Sequence, residues 1–170
     1  MKRLYLIRHA KSSWADIDLD DFARPLNKRG KKDGPEMAER LAKAGVRPDL
    51  IVASPAKRAK KNRDMHGQRT GYDKGAIRYY DELYLGSLSY HLQLLEQLFP
   101  NVTSLFLVGH NNTITELAEY LIGRSLGNVP TCGVVAVEYA EQDGFTNRVG
   151  GGKLLFFDFP KNRLGLEADV

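Results

Sequence analysis

Arg8 and His9 stand side by side directly after the apolar run Leu4-Tyr5-Leu6-Ile7. Ser54, Pro55 and Arg58 follow the run Asp49-Leu-Ile-Val-Ala53, and Gly109-His110-Asn111 follows Ser104-Leu-Phe-Leu-Val108. A neutral imidazole is a good nucleophile toward phosphorus, and covalent capture divides one hard displacement into two easier ones. Guanidinium forks match the oxygens of a phosphoryl group, where charge must be stabilised during transfer. Cations beside His9 lower its pKa and keep it unprotonated near neutrality. A helix starting after His110 adds backbone N–H donors at its N-terminus. Taken singly, a histidine at a strand end is commonly structural and an arginine commonly a surface charge. Two of each at strand exits form a convergent set, and the chemistry that set supports is phosphoryl transfer.

The elements that must position these groups are readable from pattern. Leu4 to Ile7, Asp49 to Ala53 and Ser104 to Gly109 read as buried strands. A short extended piece begins near Ile77, and Gly133 to Tyr139 and Lys153 to Phe159 look like two closing strands, with Gly150-Gly151-Gly152 at the turn between them. Asn27 is placed to cap a helix carrying Met37, Leu41 and Ala44 and ending at Gly45, although Gly34-Pro35 speaks against regular helix in its first half. Ser87 caps a second helix with Leu88, Leu92, Leu95 and Leu98, stopped by Pro100, and a third runs from Asn111 to Ile122 before Gly123. Alternating strands and helices predict an α/β fold, a three-layer α/β/α sandwich with a mainly parallel sheet. In such sheets ligands bind beyond the carboxyl ends of the strands, where the arginines and histidines stand. The stretch after Pro55 fits poorly: from Lys57 to Thr70 its only large apolar residue is Met65, and Gly67 interrupts it. Without an apolar stripe it is expected to be short, mobile or poorly packed.

Composition narrows the classes. With 170 residues, 42% hydrophobic and 27% charged, the chain has the makeup of one globular domain spanning 1–170. No apolar run approaches the ~18 residues of a membrane span, and no signal-peptide pattern opens the chain, so a cytoplasmic protein is expected. The one cysteine, Cys132, permits no intrachain disulfide. No arginine follows it within the reach a cysteine phosphatase needs, so it reads as a buried bystander. The net charge is +4, with basic clusters at Lys28–Lys32 and Lys57–Arg63. A nucleic-acid surface, a solvated helix face and a field that attracts an anionic substrate all fit that charge. No recognised nucleic-acid motif is present, and aromatics do not interleave with the basic runs.

The run Leu6-Ile-Arg-His-Ala-Lys-Ser-Ser-Trp14 resembles the signature of the histidine phosphatase (phosphoglycerate-mutase-like) superfamily, with Ala10 where its short SixA-type phosphohistidine phosphatase branch departs from the usual glycine. Arg24-Pro-Leu-Asn-Lys-Arg-Gly30, Ala53-Ser-Pro-Ala-Lys-Arg-Ala59, Asp81-Glu-Leu-Tyr84 and Val108-Gly-His-Asn111 follow in the family's order over about the first 120 residues. The resemblance implies that His9 is the nucleophile and that Arg8, Arg58 and His110 complete the phosphate pocket. It also implies that Glu82 stands where some branches carry the proton donor, a role that requires a raised pKa. Ser12 and Lys11 follow the nucleophile at the pocket mouth, and Asn111 joins the phosphate-binding set. Trp14 reads as a packing or rim residue, and His66 and His91 as non-catalytic. Three departures stand out. Ala15 replaces the asparagine that mutase-type relatives carry after the tryptophan, and the long lid insertions of mutases are missing. The family's apolar helix after Arg58 is replaced by Asn62, His66 and Thr70.

The expected activity is metal-independent and cofactor-free hydrolysis of a protein-borne phosphohistidine or a small phosphomonoester, by a monomer that binds neither nucleic acid nor membrane. A sugar-phosphate mutase and a non-catalytic phosphoprotein-binding module are the alternatives.

Overall fold

The inner strands alternate their side chains between two buried faces, which is why each reads as nearly continuous apolar sequence. In the computed structural model, which describes residues 1–140 and 144–162, six strands form one sheet: β1 (Lys2–Arg8), β2 (Leu50–Ala53), β3 (Arg78–Tyr79), β4 (Ser104–Gly109), β5 (Val134–Tyr139) and β6 (Lys153–Asp158). Their order is β3-β2-β4-β1-β5-β6. The first four run parallel, while β5 and β6 are antiparallel to their neighbours. The last residues of the expected domain, 163–170, lie outside the described residues.

Helices cover both faces. Leu4, Leu6, Val52, Leu105 and Leu107 pack with α3 (Glu82–Leu85), α4 (Leu88–Leu98) and α5 (Thr113–Ile122). Tyr5, Ile7, Ile51, Phe106 and Val108 pack with α1 (Lys28–Lys43) and α2 (Lys57–Thr70). The three-layer α/β/α sandwich with a mainly parallel sheet is therefore present. Ser87 caps α4 by accepting from the Tyr90 N–H, and Gly123 ends α5 at φ 69°. None of the helices among the described residues is long and apolar enough to cross a membrane.

Two expectations are corrected. Helix α1 runs unbroken through Gly34-Pro35, capped at Asn27, whose side chain accepts from the Gly30 N–H. A Cβ at position 34 would lie 2.6 Å from Met65 Sδ, so Gly34 lets α2 approach closely. Gly30 is tighter still, because a Cβ there would lie 2.3 Å from the Lys11 carbonyl oxygen. Helix α2 is not short: it runs for 14 residues and ends in a left-handed Gly71 cap. Its inward face does recur at helical spacing, but most of it is polar: Arg58, Asn62, Arg63, His66 and Thr70 with Ala59 and Gly67. An apolar count misses a stripe built this way.

That stripe is costly. His66 is fully buried with its ring edge-on to Phe106, and neither ring nitrogen has a partner; the Asn62 amide is likewise unpaired. Burial lowers the His66 pKa to about 4. The unfolded chain therefore takes up a proton below about 6.5 that the folded chain refuses, and stability drains away as pH falls from there through about 4. We expect His66→Leu to raise unfolding free energy by about 1–3 kcal/mol. It should also flatten the loss of stability between about pH 7 and about pH 5, both read from urea denaturation. A variant less stable than wild type at the higher pH would show that the imidazole contributes an interaction of its own.

Candidate active site

Parallel pairing delivers three strand ends to one edge of the sheet. In the β1–β4 register Arg8 lies opposite Gly109, and in the β2–β4 register Ala53 lies opposite Val108. The residues that leave these strands, His9, His110 and Ser54, thus emerge about one strand spacing apart. The His9 N–H donates to the Gly109 carbonyl at 3.1 Å, and the Ser54 N–H to the Val108 carbonyl at 3.0 Å. From the other side the Cys132 N–H donates to the carbonyls of Arg8 and His9, at 3.1 and 3.2 Å. Cys132 adopts φ 62°, a left-handed conformation rare for a residue with a Cβ. Its thiol is buried, and desolvation pushes its pKa up to about 12, so the backbone rather than the sulfur serves this site.

Arg58, in the first turn of α2, donates its Nε–H to His9 Nε2 at 3.3 Å. Because an arginine can only donate, Nε2 carries the lone pair and the ring proton sits on Nδ1, which donates to the Ala10 carbonyl at 2.7 Å. Burial is the main cause that lowers the His9 pKa to about 4; Arg58 and Arg8 push in the same direction, against the Ala10 hydrogen bond. The neighbouring cations expected to keep this ring neutral are therefore the lesser cause. The His110 ring centroid lies 4.8 Å from that of His9, and His110 Nε2 is 2.8 Å from Ser54 Oγ. Burial, then His9 and Arg58, hold the His110 pKa at about 2. Arg8 donates Nη1–H to the Val129 carbonyl at 2.8 Å, while its Nε–H is buried without a partner.

These groups border a cleft of about 240 Å³ lined by Arg8, Lys11, Arg24, Arg58, His9 and Ser12, with Trp14 and Thr131 completing its wall. His9, Arg8, Arg58 and Ser12 are thus brought together, and His110 stands directly behind His9. Glu82 is not among the lining residues; it is exposed at the first position of α3. The α3 side chain that does reach the site is Tyr84, edge-on to His110 at 5.4 Å between centroids. Asn111 turns away, accepting from Thr115 Oγ–H at 2.7 Å and donating to Asn128 Oδ1 at 2.7 Å, so it holds the loop before Val129. The second and third N–H groups of α5 are also engaged: Ile114 donates to the His110 carbonyl and Thr115 to Asn111 Oδ1. His91 is buried, and its Nδ1 lies 2.8 Å from the Ser87 carbonyl within α4.

Sequence reasoning missed Asp21 and Arg24. Arg58 donates Nη1–H to the Asp21 carbonyl and Nη2–H to Asp21 Oδ2 at 2.9 Å. Arg24 donates Nη1–H to Asp21 Oδ1 at 3.0 Å and lies over the Trp14 ring, 3.2 Å from its centroid. Tyr84 donates its hydroxyl proton to Asp21 Oδ2 at 2.7 Å. Asp21 is one of four aspartates between positions 16 and 21, and nothing in their spacing singles it out. Arg24 carried a weak signal, as the lone cation of an acidic loop. Among the described residues no three of His, Cys, Asp and Glu are grouped so as to hold a metal ion.

Comparison with known proteins gives a consistent result. The sequence profile of the histidine phosphatase superfamily (branch 1) matches residues 4–89. A chloroplastic Arabidopsis thaliana protein is 32% identical over 145 residues, covering 81% of this chain and 66% of that protein's length. The crystal structure of a proposed phosphohistidine phosphatase SixA from Agrobacterium tumefaciens is 31% identical, with a TM-score of 0.78 over 92% of this chain and 97% of the other. A protein histidine phosphatase SixA in complex with tungstate superposes with a TM-score of 0.81 at 21% identity, over 94% of this chain and 98% of the other, and so shares the fold.

The hydrogen bonds at His9 make a checkable statement about its protonation. Ring-nitrogen NMR at about pH 6 should show His9 uncharged, protonated at Nδ1 and bare at Nε2. A titration midpoint near the ordinary histidine value of about 6.5 would contradict the buried environment.

Proposed function

Since the chain belongs to the histidine phosphatase superfamily, branch 1, and is of the SixA type, we propose that it hydrolyses a protein-borne phosphohistidine, or a small phosphomonoester, through a covalent phosphohistidine on His9. The observation that carries this reading is the bare Nε2 of a neutral His9 facing a cleft shared with the guanidinium groups of Arg8 and Arg58. The buried, unspent Nε–H of Arg8 supports it as a donor available to a phosphoryl oxygen. A phosphatase of the same fold captured with tungstate, an oxyanion of phosphate-like shape, lends support from outside this chain.

In the first step Arg8 and Arg58 hold the non-bridging oxygens, and Ser12 offers its hydroxyl at the same cleft. Arg58 releases its hydrogen bond to Nε2, whose electron pair then attacks phosphorus in line. As the bond from Nε2 to phosphorus forms, the bond to the leaving group breaks, and the leaving group keeps its electron pair and takes a proton from solvent. A departing imidazole accepts that proton readily, so the reading gives no step to the exposed Glu82. In the second step water attacks the phosphorus and the bond to His9 breaks with its electron pair returning to Nε2; the water's protons stay on the departing phosphate or pass to solvent, and His9 is again neutral. His110, uncharged behind His9, packs the nucleophile in place without adding positive charge. Among the described residues no element covers the cleft at Trp14, which is 78% exposed, and that openness supports a phosphoryl group presented on another protein.

The test is capture of the intermediate. Brief exposure to a substrate carrying labelled phosphate, followed by quenching in base, should leave acid-labile label on the wild-type chain and none on His9→Ala. Turnover of the same substrate should drop in the variant by at least about a thousandfold. Label retained by His9→Ala, or hydrolysis at an undiminished rate, would overturn the covalent role.

A further inference from the structure

We propose that the Asp21 carboxylate is a built-in competitor for the phosphate seat, which a phosphoryl group must displace or share, so that Asp21 sets how tightly the product is retained. The inference goes beyond the phosphatase reading and rests on it.

Each nitrogen of the Arg58 fork is already engaged. Nε–H donates to His9, Nη1–H to the Asp21 carbonyl and Nη2–H to Asp21 Oδ2. The other carboxylate oxygen accepts from Arg24, whose guanidinium lines the same cleft as His9. One anionic group therefore bridges two guanidinium groups beside the nucleophile, an arrangement that two oxygens of a phosphate would also adopt. Burial by itself would raise the Asp21 pKa, but the hydrogen bonds from Tyr84, Arg58 and Arg24 outweigh it and hold the value at about 2. Asp21 is thus fully charged wherever the enzyme works. A phosphate dianion approaching Arg58 and Arg24 meets that charge at the donors it needs.

Asp21 could instead serve to orient Arg58, and the structure argues against that. The Arg58 side chain is buried, and two of its three hydrogen bonds, to His9 and to the Asp21 main-chain carbonyl, do not involve the carboxylate. Neutralising the carboxylate removes a negative charge and leaves the guanidinium held. The carboxylate also has room to swing aside: its side chain is 43% exposed, on a single turn of 3-10 helix (Asp21–Ala23) that follows an exposed stretch. Displacing it disturbs nothing in either core layer. The consequence for turnover is a product released against a resident anion, with weaker inhibition by accumulated phosphate.

Calorimetric titration with inorganic phosphate separates this inference from the reading beneath it. Asp21→Asn and Asp21→Ser should each bind phosphate at least about tenfold more tightly than wild type, the loss of one charge-assisted competitor. Asp20→Asn removes the same charge one residue away, where no side-chain hydrogen bond to a guanidinium exists, and should shift affinity far less. Inhibition of turnover by phosphate should tighten in the same order. Affinity at position 21 that is unchanged, weakened or matched by Asp20→Asn would overturn the competitor role while leaving the phosphatase reading intact. Phosphate binding that is absent from every variant, or that survives undiminished in Arg58→Gln, would overturn both.

Discussion

A buried imidazole flanked by guanidinium groups is tolerable in only one protonation state. Burial itself disfavours the charged ring most, and repulsion from the guanidinium groups adds to it. A protonated His9 would meet Arg58 directly and Arg8 as its chain neighbour. The rest of the site is arranged around keeping that ring uncharged and aimed. The Ala10 carbonyl takes the Nδ1 proton, the Gly109 carbonyl and the Cys132 N–H fix the backbone on either side, and His110 fills the space behind without contributing a charge. Asp21 partly offsets the guanidinium groups of Arg58 and Arg24.

Much of this was legible in sequence because its cause is local. An apolar run that stops at Arg8-His9, another at Ser54 and a third at Gly109-His110 already imply strand exits, and parallel pairing then brings them together. Illegible parts depend on which way a side chain turns after its position is settled. Asn111 follows His110 directly, yet both ends of its amide are taken by Thr115 and Asn128. Glu82 and Tyr84 share one short helix, and its orientation sends the phenol to the site and leaves the carboxylate in solvent. Asp21 becomes distinguishable from its three neighbouring aspartates only once Arg58, Arg24 and Tyr84 surround it.

Helix α2 failed the sequence reading for a different reason. Hydrophobic periodicity reports burial only when buried positions are apolar, and here positions 58, 62, 66 and 70 are arginine, asparagine, histidine and threonine. The periodicity exists, written in polar residues. Arg58 has to be on this face, since the first turn of α2 is what carries its guanidinium to His9. The positions behind it carry no such requirement. Asn62 and His66 leave buried polar atoms unpaired, an example of local rules being broken next to a site rather than within it.

Gly30 links the nucleophile to a surface it never touches. It sits in the first turn of α1, where alanine would ordinarily favour the helix, but its hydrogen faces the main chain at Lys11, two residues after His9. Asn27 reinforces the junction by donating its own N–H to the same Lys11 carbonyl. Any side chain introduced at position 30 would push on backbone, which cannot rotate away as a flexible side chain would. The mutational tolerance of this helix turn is therefore dictated by clearance around the segment that follows His9.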